Sequence, residues 1–233
     1  MPACCQRLGW RDNGNPGQAG RKGGEVMTLE SNPGRASELA IEAQHRLMRT
    51  VVGLGDDDVR APSRLPGWTV GHVLTHLARN ADGIGRRIAG ALEGREVPKY
   101  PGGSAQRNEE IESGAGRPAQ EIISDLDASQ LRLEELLRRY ADAGFPNGDF
   151  RGGDNHGVAE CPARRLREVE MHHADLGLGY TPSDWPDEYV DWDLPTLLAT
   201  VPERLGSAGD RRRFLAWLAG REPLGTAPVL APW

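Results

Sequence analysis

Apolar residues recur at helical spacing in four stretches of the chain. The stretches run from about Pro33 to Val52, from about Thr69 to Leu92, from Pro118 onward, and from about Pro162 to Leu176. Each apolar stripe covers one side of its helix, as in helices that pack on a common core. No stretch alternates between apolar and polar residues as a strand does, and two of the connections are long. The pattern therefore predicts an antiparallel four-helix bundle.

The connections and the two ends of the chain carry weaker patterns. Residues 94–117 are predicted to form a long loop with a short helical piece around 105–111, and residues 144–157 a polar loop. Beyond Tyr180, two shorter helical patterns cover about 194–205 and 210–219. Residues 1–26 contain six glycines and no periodicity, which is typical of a disordered extension. We therefore expect this extension, a bundle of residues 27–180, and a small, mostly helical region of residues 181–233.

Composition excludes several classes of protein. The net charge is −6, the pI is about 5.6 and the mean hydropathy is −0.56, which argues against general binding of nucleic acid or of an anionic membrane surface. No apolar run approaches the roughly 18–20 residues that span a bilayer. The cysteines, Cys4, Cys5 and Cys161, form neither a disulfide framework nor a cluster with metal-ligand spacing. These features predict a cytoplasmic protein.

The second predicted helix carries two histidines one turn apart. His72 and His76 are four residues apart, so both lie on a shared side of the helix. This side is off the main apolar stripe. The pattern alone is therefore also typical of an ordinary solvated face.

The fourth predicted helix carries two Glu–His pairs. Glu168 and His172 have i, i+4 spacing, and Glu170 and His173 have i, i+3 spacing. Either pair, joined by a histidine of the second helix, would give a metal three protein ligands and leave one coordination position open, as in catalytic sites. Solvated Glu–His pairs are the alternative. The spacing does not decide between the two pairs.

Four sequence blocks carry a resemblance to a known family. They are residues 65–77 (LPGWTVGHVLTHL), 100–111 (YPGGSAQRNEEI), 167–177 (REVEMHHADLG) and 215–221 (LAWLAGR). In this order they resemble the mycothiol-dependent maleylpyruvate isomerases of the DinB-like superfamily of metal-dependent thiol enzymes. The resemblance implies a mainly α, DinB-like four-helix bundle with a small C-terminal extension that completes the active site.

The resemblance also implies a site. In that family one histidine of the second helix and a Glu-x-x-x-His pair bind a divalent metal, usually zinc, and these roles fall on His76, Glu168 and His172. Arg221, after the Trp-Leu-x-Gly motif, matches an arginine that is important for activity. Arg107 is a second candidate for binding a substrate carboxylate, and Asp175 for orienting a ligand.

The implied reaction is the cis–trans isomerisation of maleylpyruvate to fumarylpyruvate in the gentisate route of aromatic catabolism. It requires a thiolate, and Cys161 has no evident base partner in the sequence, so mycothiol would supply the thiol. The alternatives are a mycothiol S-transferase that conjugates electrophiles and a non-catalytic helical binding or regulatory module. The expected partners are mycothiol and a small-molecule substrate, without nucleic acid or membrane, in a monomer or homodimer. The region from Tyr180 to Arg221 is short for the α+β C-terminal domain of many members, which leaves the substrate open.

Overall fold

The structure of the protein is a computed structural model that describes residues 28–221, 223 and 225. The predicted disordered extension, with Cys4 and Cys5, lies outside the described residues. Within them the chain forms eight α-helices and no β-strand. The helices are α1 (Pro33–Val51), α2 (Asp56–Arg60), α3 (Val70–Leu92), α4 (Gly103–Ala115), α5 (Ala119–Asp142), α6 (Cys161–Asp175), α7 (Asp187–Arg204) and α8 (Ala208–Leu218).

The bundle consists of α1, α3, α5 and α6, which confirms the predicted mainly α fold. α3 packs along α5, α1 packs along α6, and α3 also meets α6. The predicted bounds of α1, α3 and α6 and the predicted start of α5 agree with the observed ones to within one residue. Local signals explain this agreement: Asn32 caps α1 ahead of Pro33, and the Thr69 hydroxyl accepts from the His72 N–H at the start of α3.

Helix α4 is longer than the sequence indicated. Instead of a loop with a short helical piece around 105–111, the chain forms a helix of 13 residues. Its contact with α3 depends on glycines: a Cβ on Gly71 would lie 2.6 Å from the Ala115 carbonyl oxygen, and one on Gly114 would lie 2.6 Å from Thr75 Cγ2. A helix that packs through glycine shows little hydrophobic periodicity, which is why the apolar pattern understated it.

Two other helices also differ from the prediction. The acidic run Asp56–Asp58 lies outside every predicted helix, yet it begins α2, because acidic side chains are favourable in the first turn of a helix. Helix α7 begins at Asp187, seven residues before the predicted start. It is held to α6 by a buried ion pair in which Arg167 Nε donates to Asp193 Oδ1 at 2.8 Å.

The helices bury two apolar clusters, one at each end of the bundle. One cluster is built mainly on α1, α6 and the first parts of α3 and α5, and the other on the later parts of α3 and α5. Asn80 lies between Ala78 of the first cluster and Ala81 of the second. None of the helices in the described part of the chain is long and apolar enough to cross a membrane.

Candidate metal centre

Three side chains from two helices meet between α3 and α6. His76 of α3 and Glu168 and His172 of α6 each offer one ligand atom, and these atoms lie within 4.8 Å of one another. His76 Nε2 is 2.8 Å from Glu168 Oε2, and that oxygen is 3.6 Å from His172 Nε2. The His76 side chain is 3% exposed, Glu168 26% and His172 19%. The cluster is therefore partly covered, and solvent reaches it through the two side chains of α6.

Burial of His76 decides against one of the alternatives that the sequence left open. A solvated face was possible for the histidine side of α3 because this side lies off the apolar stripe. In the structure, α4 lies along α3 and Arg107 of α4 contacts the His76 ring, so this side faces the protein interior. Because the apolar pattern of α4 is weak, the sequence did not show that this helix covers His76.

The charges of His76 and Glu168 are those of metal ligands. Burial lowers the pKa of His76 to about 4, so its imidazole is neutral at physiological pH. Burial works against ionisation of Glu168, but the hydrogen bond from His76 and the positive charge of Lys99 outweigh it and hold the pKa of Glu168 below its ordinary value. A neutral imidazole and an ionised carboxylate are the ligand forms of these side chains.

Two further residues contact the histidines from outside. His172 Nδ1 lies 2.8 Å from Asp175 Oδ2, so Nδ1 carries the proton and Nε2 presents its lone pair to the cluster. Arg107 Nη2 donates to His76 Nδ1 at 3.0 Å. A guanidinium only donates hydrogen bonds, so in this arrangement the His76 proton is on Nε2 and points to Glu168. The structure thus places both candidate binding residues, Arg107 and Asp175, in contact with the cluster.

The donor set fits a divalent metal. Two imidazoles and one carboxylate are the ligands of several catalytic zinc sites, which keep a fourth position for a small molecule. The partly exposed α6 side of the cluster offers access to such a position. Asp175 on His172 supplies the outer hydrogen bond that usually accompanies a histidine ligand.

The other Glu–His pair of α6 is engaged elsewhere. Glu170 is 1% exposed and binds Arg46 Nη2 at 2.5 Å, and the Tyr180 hydroxyl donates to it. His173 stacks on the Tyr180 ring with centroids 3.8 Å apart and bonds to the Thr50 hydroxyl at 2.8 Å. These contacts hold the segment after α6 against α1 and α6. Glu170 and His173 are therefore structural.

His72 has a structural role at the start of α3. Its Nδ1 accepts from the Thr69 N–H at 3.2 Å, while the Thr69 hydroxyl accepts from the His72 N–H at 3.4 Å. This reciprocal pair is a capping box in which histidine takes the place of the usual glutamate or glutamine. Its other ring nitrogen lies 3.5 Å from Glu112 Oε2.

Arg221 lies at the end of α8, exposed to solvent. The Gly220 N–H donates to the Trp217 carbonyl at 2.9 Å and the Arg221 N–H to the Ala216 carbonyl at 2.8 Å. With Gly220 at φ +63°, these bonds form a Schellman motif, so the Trp-Leu-Ala-Gly-Arg block ends the helix and fixes the Arg221 backbone. Among the described residues, no hydrogen bond or ion pair joins the Arg221 side chain to the metal-ligand cluster.

Trp68 lies beside the cluster, a place that the sequence did not indicate. The Trp68 ring stacks on His72 and lies 5.8 Å from the His76 ring between centroids. The available signal was its position one residue before the helix cap Thr69, which brings its ring next to His72 and His76 in the first turns of α3. Trp68 both packs on the core and forms a wall of the site.

Cys161 is excluded as a reactive thiol. It is fully buried at the first position of α6, and burial raises the pKa of its thiol to about 11. A thiol in this state is protonated at physiological pH and out of reach of a substrate.

The region that holds the site matches a known protein family. The family model of the mycothiol maleylpyruvate isomerase N-terminal domain matches residues 41–177, more than half of the chain. The chain belongs to this family. The match to the mycothiol maleylpyruvate isomerase N-terminal domain spans the three clustered residues, Arg107 and Asp175, and it ends before α7.

Solved structures show the same fold. The chain is similar to the crystal structure of the mycothiol-dependent maleylpyruvate isomerase, with a TM-score of 0.62 and 24% sequence identity. The similarity covers 69% of this chain and 67% of that one. A mutant of that isomerase with a histidine replaced by alanine gives the same values. Among curated proteins no match to this chain is found.

Proposed function

We propose that the protein is a mycothiol-dependent cis–trans isomerase that converts maleylpyruvate to fumarylpyruvate. The observation that carries the proposal is the cluster of His76, Glu168 and His172, whose ligand atoms lie within 4.8 Å of one another and which has an accessible side. Membership in the mycothiol maleylpyruvate isomerase N-terminal domain family supports it.

In this proposal the cluster holds a divalent metal. We assign zinc because the family that the chain resembles usually binds zinc, and two imidazoles and one carboxylate are a known zinc ligand set. Bound there, the metal supplies the positive charge that lowers the pKa of a thiol and holds the thiolate. Isomerisation by addition to the double bond, rotation and elimination needs such a thiolate. Since Cys161 is buried and protonated, we assign the thiol to mycothiol rather than to the described part of the chain.

Arg107 is suited to the carboxylate of the substrate. A histidine that ligates through Nε2 carries its proton on Nδ1, and Arg107 has no lone pair to accept that proton. The contact between Arg107 and His76 Nδ1 is therefore incompatible with ligation through Nε2. With a metal bound, the Arg107 guanidinium would no longer contact His76 and could bind an anion beside the metal ligands. Asp175 keeps His172 oriented.

Arg221 is proposed as the catalytic arginine that stabilises charge on the reacting diacid. The support is its place in the 215–221 block and the Schellman motif that fixes its backbone. The C-terminal region of residues 181–233 would thus complete the active site. We place the enzyme in the cytoplasm, as a monomer or homodimer, in the gentisate route of aromatic catabolism.

The test is an assay of maleylpyruvate isomerisation by the zinc-loaded protein, with and without mycothiol. The proposal predicts mycothiol-dependent formation of fumarylpyruvate, and loss of both zinc and activity in His76→Ala. Conjugation of mycothiol to an electrophile without isomerisation would indicate an S-transferase instead. Protein that binds no metal and has no activity would indicate a non-catalytic binding module.

Arg221→Ala tests the C-terminal part of the proposal. Loss of a charge-stabilising contact in the transition state costs about 3–4 kcal/mol, so turnover should fall by about 10² to 10³-fold. Zinc content, measured by elemental analysis, should not change because Arg221 is not a ligand. Near-normal turnover would remove Arg221 from the active site.

A further inference from the structure

A fully buried arginine lies one turn away from the metal-ligand cluster. Arg165 of α6 is 0% exposed, and no carboxylate pairs with it among the described residues. Its guanidinium binds neutral oxygens instead. Nη1 donates to the Leu77 carbonyl at 3.0 Å and to Asn80 Oδ1 at 2.9 Å, and Nε donates to Gln44 Oε1 at 3.0 Å.

These bonds connect the two helices that carry the ligands. Leu77 directly follows His76 in α3, and Asn80 lies one turn further along. Arg165 itself precedes Glu168 by one turn of α6. We propose that Arg165 is a positioning residue that holds α3 and α6 at the separation at which His76 meets Glu168 and His172. This inference rests on the proposed metal site.

Apolar packing alone does not supply such a constraint. Around Arg165 the helices meet through Leu77, Leu166 and Val169, and contacts of this kind are not directional. Metal ligands must be held to within about 0.5 Å of the productive geometry. A planar guanidinium with two bonds to α3 fixes both the separation of the helices and their register.

Stability gives no reason for an arginine at this position. Burying a charge that has only neutral partners is unfavourable, and an apolar side chain of similar length would avoid that cost. Gln44 and Asn80 are themselves fully buried, and each directs its side-chain oxygen at the guanidinium. Polar side chains of α1, α3 and α6 thus form one hydrogen-bonded group next to the site.

A matched control is available in α3. Arg87 is also buried, and it binds Asp154 Oδ2 at 2.7 Å together with the carbonyls of Phe150 and His156. It therefore holds the loop before α6. Arg87 follows His76 by eleven residues, about 16 Å along the helix. Its replacement removes a buried guanidinium without touching the ligands.

The experiment is a titration of the chelator-treated full chain with Co²⁺, followed by the visible absorption of the bound ion. In Arg165→Met we expect Co²⁺ affinity to fall by about tenfold, the low end of the range for residues that support metal ligands, with an altered spectrum. In Arg87→Met we expect a less stable protein with the wild-type affinity and spectrum. A general loss of stability would not separate the two variants in this way.

Asn80→Leu provides a second variant that keeps the Arg165 charge and removes one bond to α3. It decides the question if Arg165→Met does not fold, and it should also weaken Co²⁺ binding. The proposal is overturned if Arg165→Met or Asn80→Leu binds Co²⁺ as wild type does, or if Arg87→Met weakens binding equally. Failure of wild-type protein to bind Co²⁺ would instead overturn the metal site itself. If His76→Ala is the only variant that loses Co²⁺ binding, the metal site is supported and the role of Arg165 is not.

Discussion

Replacing Glu168 and Glu170 separately with glutamine tests the central assignment of the site. The two residues lie two positions apart on α6, each has a histidine three or four positions further along the helix, and the substitution keeps the size of the side chain. The structure gives them different partners: Glu168 contacts His76, and Glu170 binds Arg46 and Tyr180. We therefore expect one variant to lose metal and the other to lose stability.

The effect of Glu170→Gln follows from its burial. The carboxylate is 1% exposed and accepts from Arg46 on Oε1 and from the Tyr180 hydroxyl on Oε2. Glutamine has one acceptor oxygen, so its amide group would face a donor and Arg46 would lose its counter-charge. Breaking a buried ion pair costs about 3–5 kcal/mol. Because the Arg46 side chain is 25% exposed and can be rehydrated, we expect about 3 kcal/mol, with metal affinity unchanged.

Glu168→Gln should behave in the opposite way. The side chain is 26% exposed, and a glutamine oxygen can still accept from His76 Nε2, so metal-free stability should change by less than about 1 kcal/mol. The metal, in contrast, loses an anionic ligand. Changes in the supporting shell alone cost 10–100-fold in affinity, so removal of this ligand should cost at least about 100-fold.

Two measurements decide the outcome. Urea unfolding of both metal-free variants gives the free energies of unfolding, and competition with a chromophoric chelator gives the zinc affinities. Loss of zinc binding in Glu170→Gln with retention in Glu168→Gln would refute the assignment and favour Glu170 and His173 as ligands. Loss of binding in both variants without a difference in stability would also contradict the structural role of Glu170.

Two further predictions concern the other histidines. His72→Ala should retain zinc and lose about 1 kcal/mol of stability, measured by urea unfolding, because His72 caps α3 and is not a ligand; loss of zinc would contradict this. Burial and the charge of Arg46 lower the pKa of His173 to about 4. As the pH drops from about 6.5 toward 4, His173 therefore takes up a proton in the unfolded chain but not in the folded protein, and the stability of the fold decreases. His173 accounts for up to about 3 kcal/mol of that loss. The free energy of unfolding of His173→Gln should therefore depend less on pH in this range, and the same pH dependence as in the wild type would contradict the prediction.

Local patterns were sufficient for the helices of the bundle. The apolar stripe of α5, the cap at Thr69 and the Asn32-Pro33 start of α1 act within a few residues, so their effect is visible in the sequence. Glycines that allow close contact between helices leave no such pattern. The extent of α4 was therefore missed, and with it the burial of His76.

The choice between the two Glu–His pairs shows the same limit. Spacing alone left both pairs open, and only the resemblance favoured Glu168 and His172. The structure shows a physical difference between the pairs: Glu170 and His173 turn toward α1 and the segment around Tyr180, and Glu168 and His172 turn toward α3. Which neighbour a helix face meets depends on the packing of other helices, which one helix does not encode locally.

By itself the sequence determined the helical class of this protein, the starts and ends of its main helices and the residue types that can bind a metal. These depend on periodicity and capping, which are local. The sequence indicated His76, Glu168, His172 and Arg107 only through its resemblance to a family. The tertiary structure shows the contacts themselves: a histidine of α3 meets Glu168 and His172 across some ninety residues of chain, and Arg107 and Arg165 lie against this junction. Such contacts are set by the separation and register of packed helices, which become defined only when the whole bundle has formed.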